Sequence, residues 1–204
     1  LAFNGIKIND EMVLDPQNSP FPVPVQRQVA GFAVQETRLV NYPYFVDIRP
    51  GAMNQDSGLT VGLNQVTMNW AAPIEVDGEK NKERKVVRLL ESSEKSWVSA
   101  QTNIQPNFKV HGELGFAGGE NQGKKLLGVA LEGQFVSYFS GKPSPLLPTP
   151  EEMAKEAKPP EPPAPGKPPE EKKAPVITRQ LDKSAESARI ILFSSNTFLS
   201  DTVL

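Results

Sequence analysis

The chain has 204 residues and a formal charge of −2, with 22 basic residues against 24 acidic ones, which excludes the basic surface that nucleic-acid binding requires. It contains no cysteine and a single histidine, so disulfides, thiol nucleophiles and zinc-thiolate sites are excluded from this piece. No apolar run approaches the roughly 20 residues that cross a bilayer as a helix, and 20 prolines are far more than an ordinary globular chain carries.

In chain order, the first residues, Leu-Ala-Phe-Asn-Gly, include no initiator methionine and run straight into structured sequence. The expectation is a piece of a longer protein. Met12 to Leu14 is an apolar run after the turn formers Asn9 and Asp10 and predicts a short strand. Asp15 follows it directly, a position suited to capping a turn. From Pro16 to Pro24, four prolines withhold backbone donors, which rules out a helix or a central strand; an extended loop with Phe21 tucked inward is expected. Arg38 to Ile48 is extended as well. Its aromatic group, Tyr42, Tyr44 and Phe45, has two readings: a binding face, or an anchor holding a long loop to the core.

Val66 to Trp70 alternates apolar and polar residues and predicts a half-buried strand, ended by Pro73. Asp77 to Arg88 mixes both charge signs as a solvated loop does. Val86 to Leu90 predicts another short strand. Ser92 to Ser96 then forms a polar turn whose hydroxyls bond nearby backbone, and Trp97 returns to the core. Gly118-Gly119 lacks the strand, helix and lysine of a phosphate cradle, so it reads as a plain loop. Leu126 to Phe135 predicts a buried strand whose Gly128 and Ala130 allow close approach of a helix or a neighbouring backbone.

Pro143 to Pro175 has no apolar periodicity and reads as a solvated spacer, apart from a capping box at Thr149 that predicts about two helical turns to Lys158. Beyond it, the unbroken apolar run Ile190 to Phe193 predicts a strand buried on both faces, the centre of one sheet with Val66 to Trp70 and Leu126 to Phe135 as neighbours, and with Trp70 and Phe135 in its core. Asp201, like Asp15, sits where a turn cap is expected. The fold class expected is α/β with a mixed or mostly parallel sheet, in three parts: residues 1–142, a proline-rich insertion at 143–175, and residues 176–204.

No catalytic arrangement stands out. His111 has no acidic or nucleophilic partner at a recognisable spacing, no Gly-x-Ser-x-Gly elbow exists, and no cofactor or metal site is expected. Several segments together nevertheless resemble a known family. Gly5 to Asp15, Leu89 to Trp97 (Leu-Leu-Glu-Ser-Ser-Glu-Lys-Ser-Trp), Leu126 to Gly133 and Arg189 to Asp201 are similar to the extracytoplasmic part of the Gld-type auxiliary component of ABC transport systems associated with gliding motility. Ser92, Ser93, Ser96 and Trp97 match that family's Leu-Leu-x-Thr/Ser-Ser-x-x-Ser-Trp motif, whereas Ser194 to Phe198 departs from its Gly-Asp-Ser-Asp-Phe loop.

The resemblance implies a flavodoxin-like or glutamine-amidotransferase-like domain with no activity of its own. It implies a periplasmic domain, anchored to the inner membrane by helices outside this piece and contacting a membrane permease and other subunits of the complex. Candidate contacts are Tyr42, Tyr44 and Phe45, and Ser92, Ser93, Ser96 and Trp97. Two alternatives are an amidase or hydrolase whose nucleophile lies elsewhere, and a domain binding carbohydrate or another small ligand through exposed aromatics.

Overall fold

The computed structural model describes residues 1–29, 31–142 and 181–197. The spacer and its capping box at Thr149, and Asp201, lie outside these residues. Among the described residues the strands are β1 (Ile6–Ile8), β2 (Met12–Leu14), β3 (Phe21–Val29), β4 (Phe32–Val40), β5 (Phe45–Ile48), β6 (Val66–Asn69), β7 (Ile74–Val76), β8 (Lys85–Glu91), β9 (Trp97–Ser99), β10 (Leu126–Glu132) and β11 (Arg189–Phe193). The sole α-helix among them, α1 (Phe108–His111), is one turn long.

All strand pairs are antiparallel. β11, β10 and β8 form a three-stranded sheet in that order, and β1 with β7, β2 with β9, β3 with β4, and β5 with β6 form two-stranded ones. The expected α/β fold with a mixed or parallel, flavodoxin-like sheet is therefore overturned. A parallel sheet needs crossover connections of a dozen or more residues, usually helical, and one turn of helix cannot supply them.

Two units are compact. The larger comprises Leu1–Gly133 with Ser187–Leu204, the smaller Gln134–Glu186. In the larger unit the core is made by Val13 of β2, Val46 and Ile48 of β5, Met68 of β6, Leu89 and Leu90 of β8 and Leu127 of β10. Short strands thus each contribute one or two apolar side chains from one face, as period-2 alternation dictates. In the smaller unit, Val136 bridges to Lys183, and the Phe135 amide donates to Ser184 Oγ at 2.9 Å.

The expected central strand is misplaced by one position. β10, not β11, is buried on both faces: Leu126, Leu127, Gly128, Val129 and Leu131 are all buried. β11 pairs with β10 as expected but lies at the sheet edge, with Ile191 45% exposed. An apolar run at an edge covers its neighbour with one face and leaves the other to solvent, so run length alone does not distinguish the two positions. Gly128 does permit a close approach, but of side chains: a Cβ there would lie 3.0 Å from the Phe193 ring and 3.2 Å from Leu90 Cβ.

Two further expectations change. Val66–Asn69 pairs with β5 and not with β10, so the three predicted neighbours do not share one sheet. Phe135 belongs to the smaller unit. The Pro-rich stretch before Pro24 is partly strand: Pro22 and Pro24 lie in β3, which with β4 makes a ribbon of nine facing pairs from Phe21↔Val40 to Val29↔Phe32. Gly31, at φ +84°, turns the chain between them, a conformation that glycine adopts without penalty.

Candidate functional site

The two candidate contact segments meet on a single aspartate. Asp15 leaves β2 fully buried. Its amide donates to Pro43 O at 3.0 Å, inside the aromatic loop. Its carboxylate accepts from the Gln17 amide (2.8 Å), the Ser93 amide (2.7 Å) and Ser93 Oγ (2.7 Å). The turn-capping expected of Asp15 is the Gln17 bond. The Ser93 bonds span 78 residues of sequence and have no local signature.

The serine turn is closed by a chain of bonds in which each hydroxyl proton has a destination. Ser96 Oγ donates to Gly123 O at 2.8 Å, which leaves Ser92 Oγ to donate to Ser96 Oγ at 2.6 Å. Ser92 Oγ accepts from the Lys125 amide at 2.7 Å, and the Ser92 amide donates to Lys125 O at 3.0 Å. These bonds fix the β8–β9 turn to the start of β10. Ser92 and Ser96 are buried and Ser93 half-buried. The expected bonding of nearby backbone occurs at Ser93, whose Oγ accepts from the Lys95 amide at 3.2 Å, whereas the Ser92 and Ser96 hydroxyls bond backbone of the distant 123–125 segment.

The aromatics are buried too. Tyr42, Tyr44, Trp97, Leu14 and Phe116 form one cluster, with Phe45 and Trp70 packed on it. Trp70 stacks on Tyr44 with ring centroids 5.3 Å apart, holding a backbone φ of +55° that is uncommon for a residue other than glycine. The Tyr42 hydroxyl donates to Ile104 O at 2.9 Å. Burial, with a smaller contribution from Tyr44, pushes the Tyr42 hydroxyl up from 10.0 to about 12, and burial raises that of Tyr44. Both hydroxyls therefore remain protonated donors at neutral pH. Of the two readings of this loop, the anchor matches its burial. Gly119 approaches the Trp97 indole so closely that a Cβ would fall 2.5 Å from it, a role its sequence did not disclose.

His111 ends α1 and is exposed, and no cluster of three metal-ligating side chains occurs among the described residues. The apolar surface lies elsewhere. On the β3–β4 ribbon, Val29, Phe32 and Val34 share a face by register and are 49%, 76% and 47% exposed, with Leu39 on the opposite face 64% exposed. Sequence reading missed this arm because Phe32 to Val34 is apolar, Gln35 to Arg38 polar and Leu39-Val40 apolar again, a pattern without the period-2 alternation that marks a strand.

Over residues 1–204 the sequence matches the family described as an ABC-type uncharacterized transport system. The chain belongs to that family. No curated protein and no solved structure matches it. Membership in the ABC-type transport system family makes the chain an auxiliary component of such a system. No helix among the described residues is long and apolar enough to cross a membrane.

Proposed function

We propose that this chain is a non-catalytic, extracytoplasmic interaction domain of its ABC-type transport system, and that the β3–β4 arm is the element that engages the permease and its neighbouring subunits. The observation that carries this reading is the exposed apolar face of Val29, Phe32 and Val34 on a ribbon that, among the described residues, pairs with no further strand. Exposed contiguous apolar residues on a projecting element mark interaction sites, and aromatics such as Phe32 dominate interface energies. The serine hydroxyls and Asp15, the groups from which a hydrolase would draw, are committed to bonds within the fold, which supports the non-catalytic role. The resemblance to Gld-type components supports a place in gliding motility and a periplasmic domain anchored to the inner membrane by helices outside this piece.

Co-purification of the full-length protein with the permease of the same transport system tests the reading. Replacing Phe32 and Val34 together by Ser removes the permease from the complex, while the circular dichroism and urea midpoint of the domain stay unchanged because both side chains are exposed. Retention of the permease by this variant overturns the role of the arm. Localisation is read separately. The chain lacks cysteine, so a single Glu79→Cys variant, exposed and outside the arm, labelled in intact cells by a membrane-impermeant maleimide reports an extracytoplasmic domain, and labelling only after lysis refutes it.

A further inference from the structure

We propose that the outer edge of β4 pairs with the same edge of a second copy of this chain, antiparallel about a two-fold axis at Thr37. The proposal rests on the strand register and not on any contact with a transporter subunit.

The ladder itself shows which backbone groups are free. Pro22 faces Leu39 and Pro24 faces Thr37. Proline has no amide hydrogen, so these are the non-hydrogen-bonded pairs of the antiparallel ladder. By alternation, the amides and carbonyls of Ala33, Gln35, Thr37 and Leu39 then point away from β3. All four residues are exposed, and among the described residues β4 pairs with β3 alone. On β3, the outward positions are Pro22, Pro24, Gln26 and Gln28, two of which cannot donate. The ribbon thus has one blocked edge and one open edge, and proline on an edge is a known guard against strand addition.

The open edge is self-complementary in one register. Outward-facing residues must meet outward-facing residues, so symmetric pairings are centred on 35, 36, 37 or 38. Centring on 36 or 38 sets Glu36 or Arg38 against its own copy, and like charges directly opposite are destabilising. Centring on 35 places Glu36 against Val34 and Arg38 against Phe32. Only centring on 37 sets Glu36 opposite Arg38 of the second copy, twice by symmetry. It also sets Val34 opposite Val40 and Thr37 opposite Thr37, all favourable cross-strand pairs. The Glu36–Arg38 matches fall at non-hydrogen-bonded positions, where side chains approach most closely. Among the described residues, neither Glu36 nor Arg38 takes part in an ion pair within the chain, so both charges are available. Pairing would convert a two-stranded ribbon, which is marginal by itself, into four strands.

Sedimentation velocity on the 204-residue chain across a concentration series tests this. The expected result is a reversible dimer. Glu36→Arg, which sets a positive charge against Arg38 of the second copy, weakens it roughly tenfold, and adding Arg38→Glu to that variant restores it. Thr37→Pro removes an outward amide without breaking the internal ladder and also dissociates the dimer. If that variant loses its folded circular dichroism signal, the charge-exchange pair decides alone. In the cysteine-free chain, Thr37→Cys forms an intermolecular disulfide under mild oxidation, because facing residues in a hydrogen-bonded pair lie about 5.5 Å apart at Cα. A wild-type chain that stays monomeric throughout the series overturns the proposal. So does a dimer indifferent to Glu36→Arg, or one in which the exchange of both charges fails to restore association.

Discussion

Asp15 receives three hydrogen bonds while fully buried, and hydrogen bonds to a charged group are the stronger kind. Asp15→Asn turns one acceptor oxygen into a donor, which then faces either the Ser93 amide or the Gln17 amide with the Ser93 hydroxyl, so a loss of about 3 kcal/mol is expected, read from the urea midpoint. Ser93→Ala removes one of these bonds but leaves the Ser93 amide bonded, and costs about 1 kcal/mol. A Ser93→Ala variant as stable as wild type would mean that the carboxylate is held by something other than the Ser93 hydroxyl. Tyr42 carries a pH dependence. Its hydroxyl titrates near 10.0 in the unfolded chain and about 12 when folded, so the unfolded chain releases its proton first. The stability tied to the neutral hydroxyl is full below pH 10 and falls as pH rises from 10 to about 12. Tyr42→Phe loses the bond to Ile104 and is less stable at neutral pH, yet its stability declines less steeply across that alkaline window. Parallel wild-type and variant curves between those pH values would show that Tyr42 does not titrate with folding.

At the scale of single elements, the ribbon of β3 and β4 differs from every other strand pair in length and in exposure. Its Pro22 and Pro24 occupy positions that make no bond to β4, so their replacement leaves the internal ladder intact while supplying two outward amides. Pro22→Thr with Pro24→Thr is therefore expected to keep the thermal midpoint within a few degrees, since a change of 1 kcal/mol shifts it by about 2–4 °C in a chain of this size. The same variant should associate into species larger than a dimer, because both edges of the ribbon are then open. Light scattering at increasing concentration reads this directly, and a variant that scatters like wild type would show that the prolines do not guard the edge. β10 is the opposite case: buried on both faces and flanked by β8 and β11, it has no edge to protect.

For the molecule as a whole, the connection between β10 and β11 is the notable feature. The ladder ends at Glu132↔Arg189, and the Gly133 amide donates to Ala188 O at 3.0 Å. The chain thus leaves and re-enters the larger unit at hydrogen-bonding distance, as in a hairpin. Replacing residues 134–187 by a four-residue turn halves the loop nearly four times, at about 0.6 kcal/mol per halving. A gain of at most about 2 kcal/mol in unfolding free energy, the value for a fully flexible loop, is expected. A fall in the urea midpoint would show that residues 134–187 contribute to its stability.

Local order was legible without any tertiary information. Alternation marked Val66–Asn69, Met12–Leu14 announced itself after a turn, the serines of 92–96 behaved as turn residues, and the match of residues 89–97 pointed to transport-system components. These follow from near-neighbour chemistry, which a linear sequence contains in full. Partnership was not legible. The sequence could not show that β6 pairs with β5, that β10 and not β11 lies in the middle, or that Asp15 binds Ser93, since each depends on segments brought together across tens of residues. The aromatics of 42–45 look alike as surface or as core until Leu14, Trp97 and Phe116 are seen around them. The apolar run Phe32 to Val34 of β4 would read the same in a core, yet all three residues are exposed. Burial is a property of what packs against a side chain, and only the tertiary structure decides that.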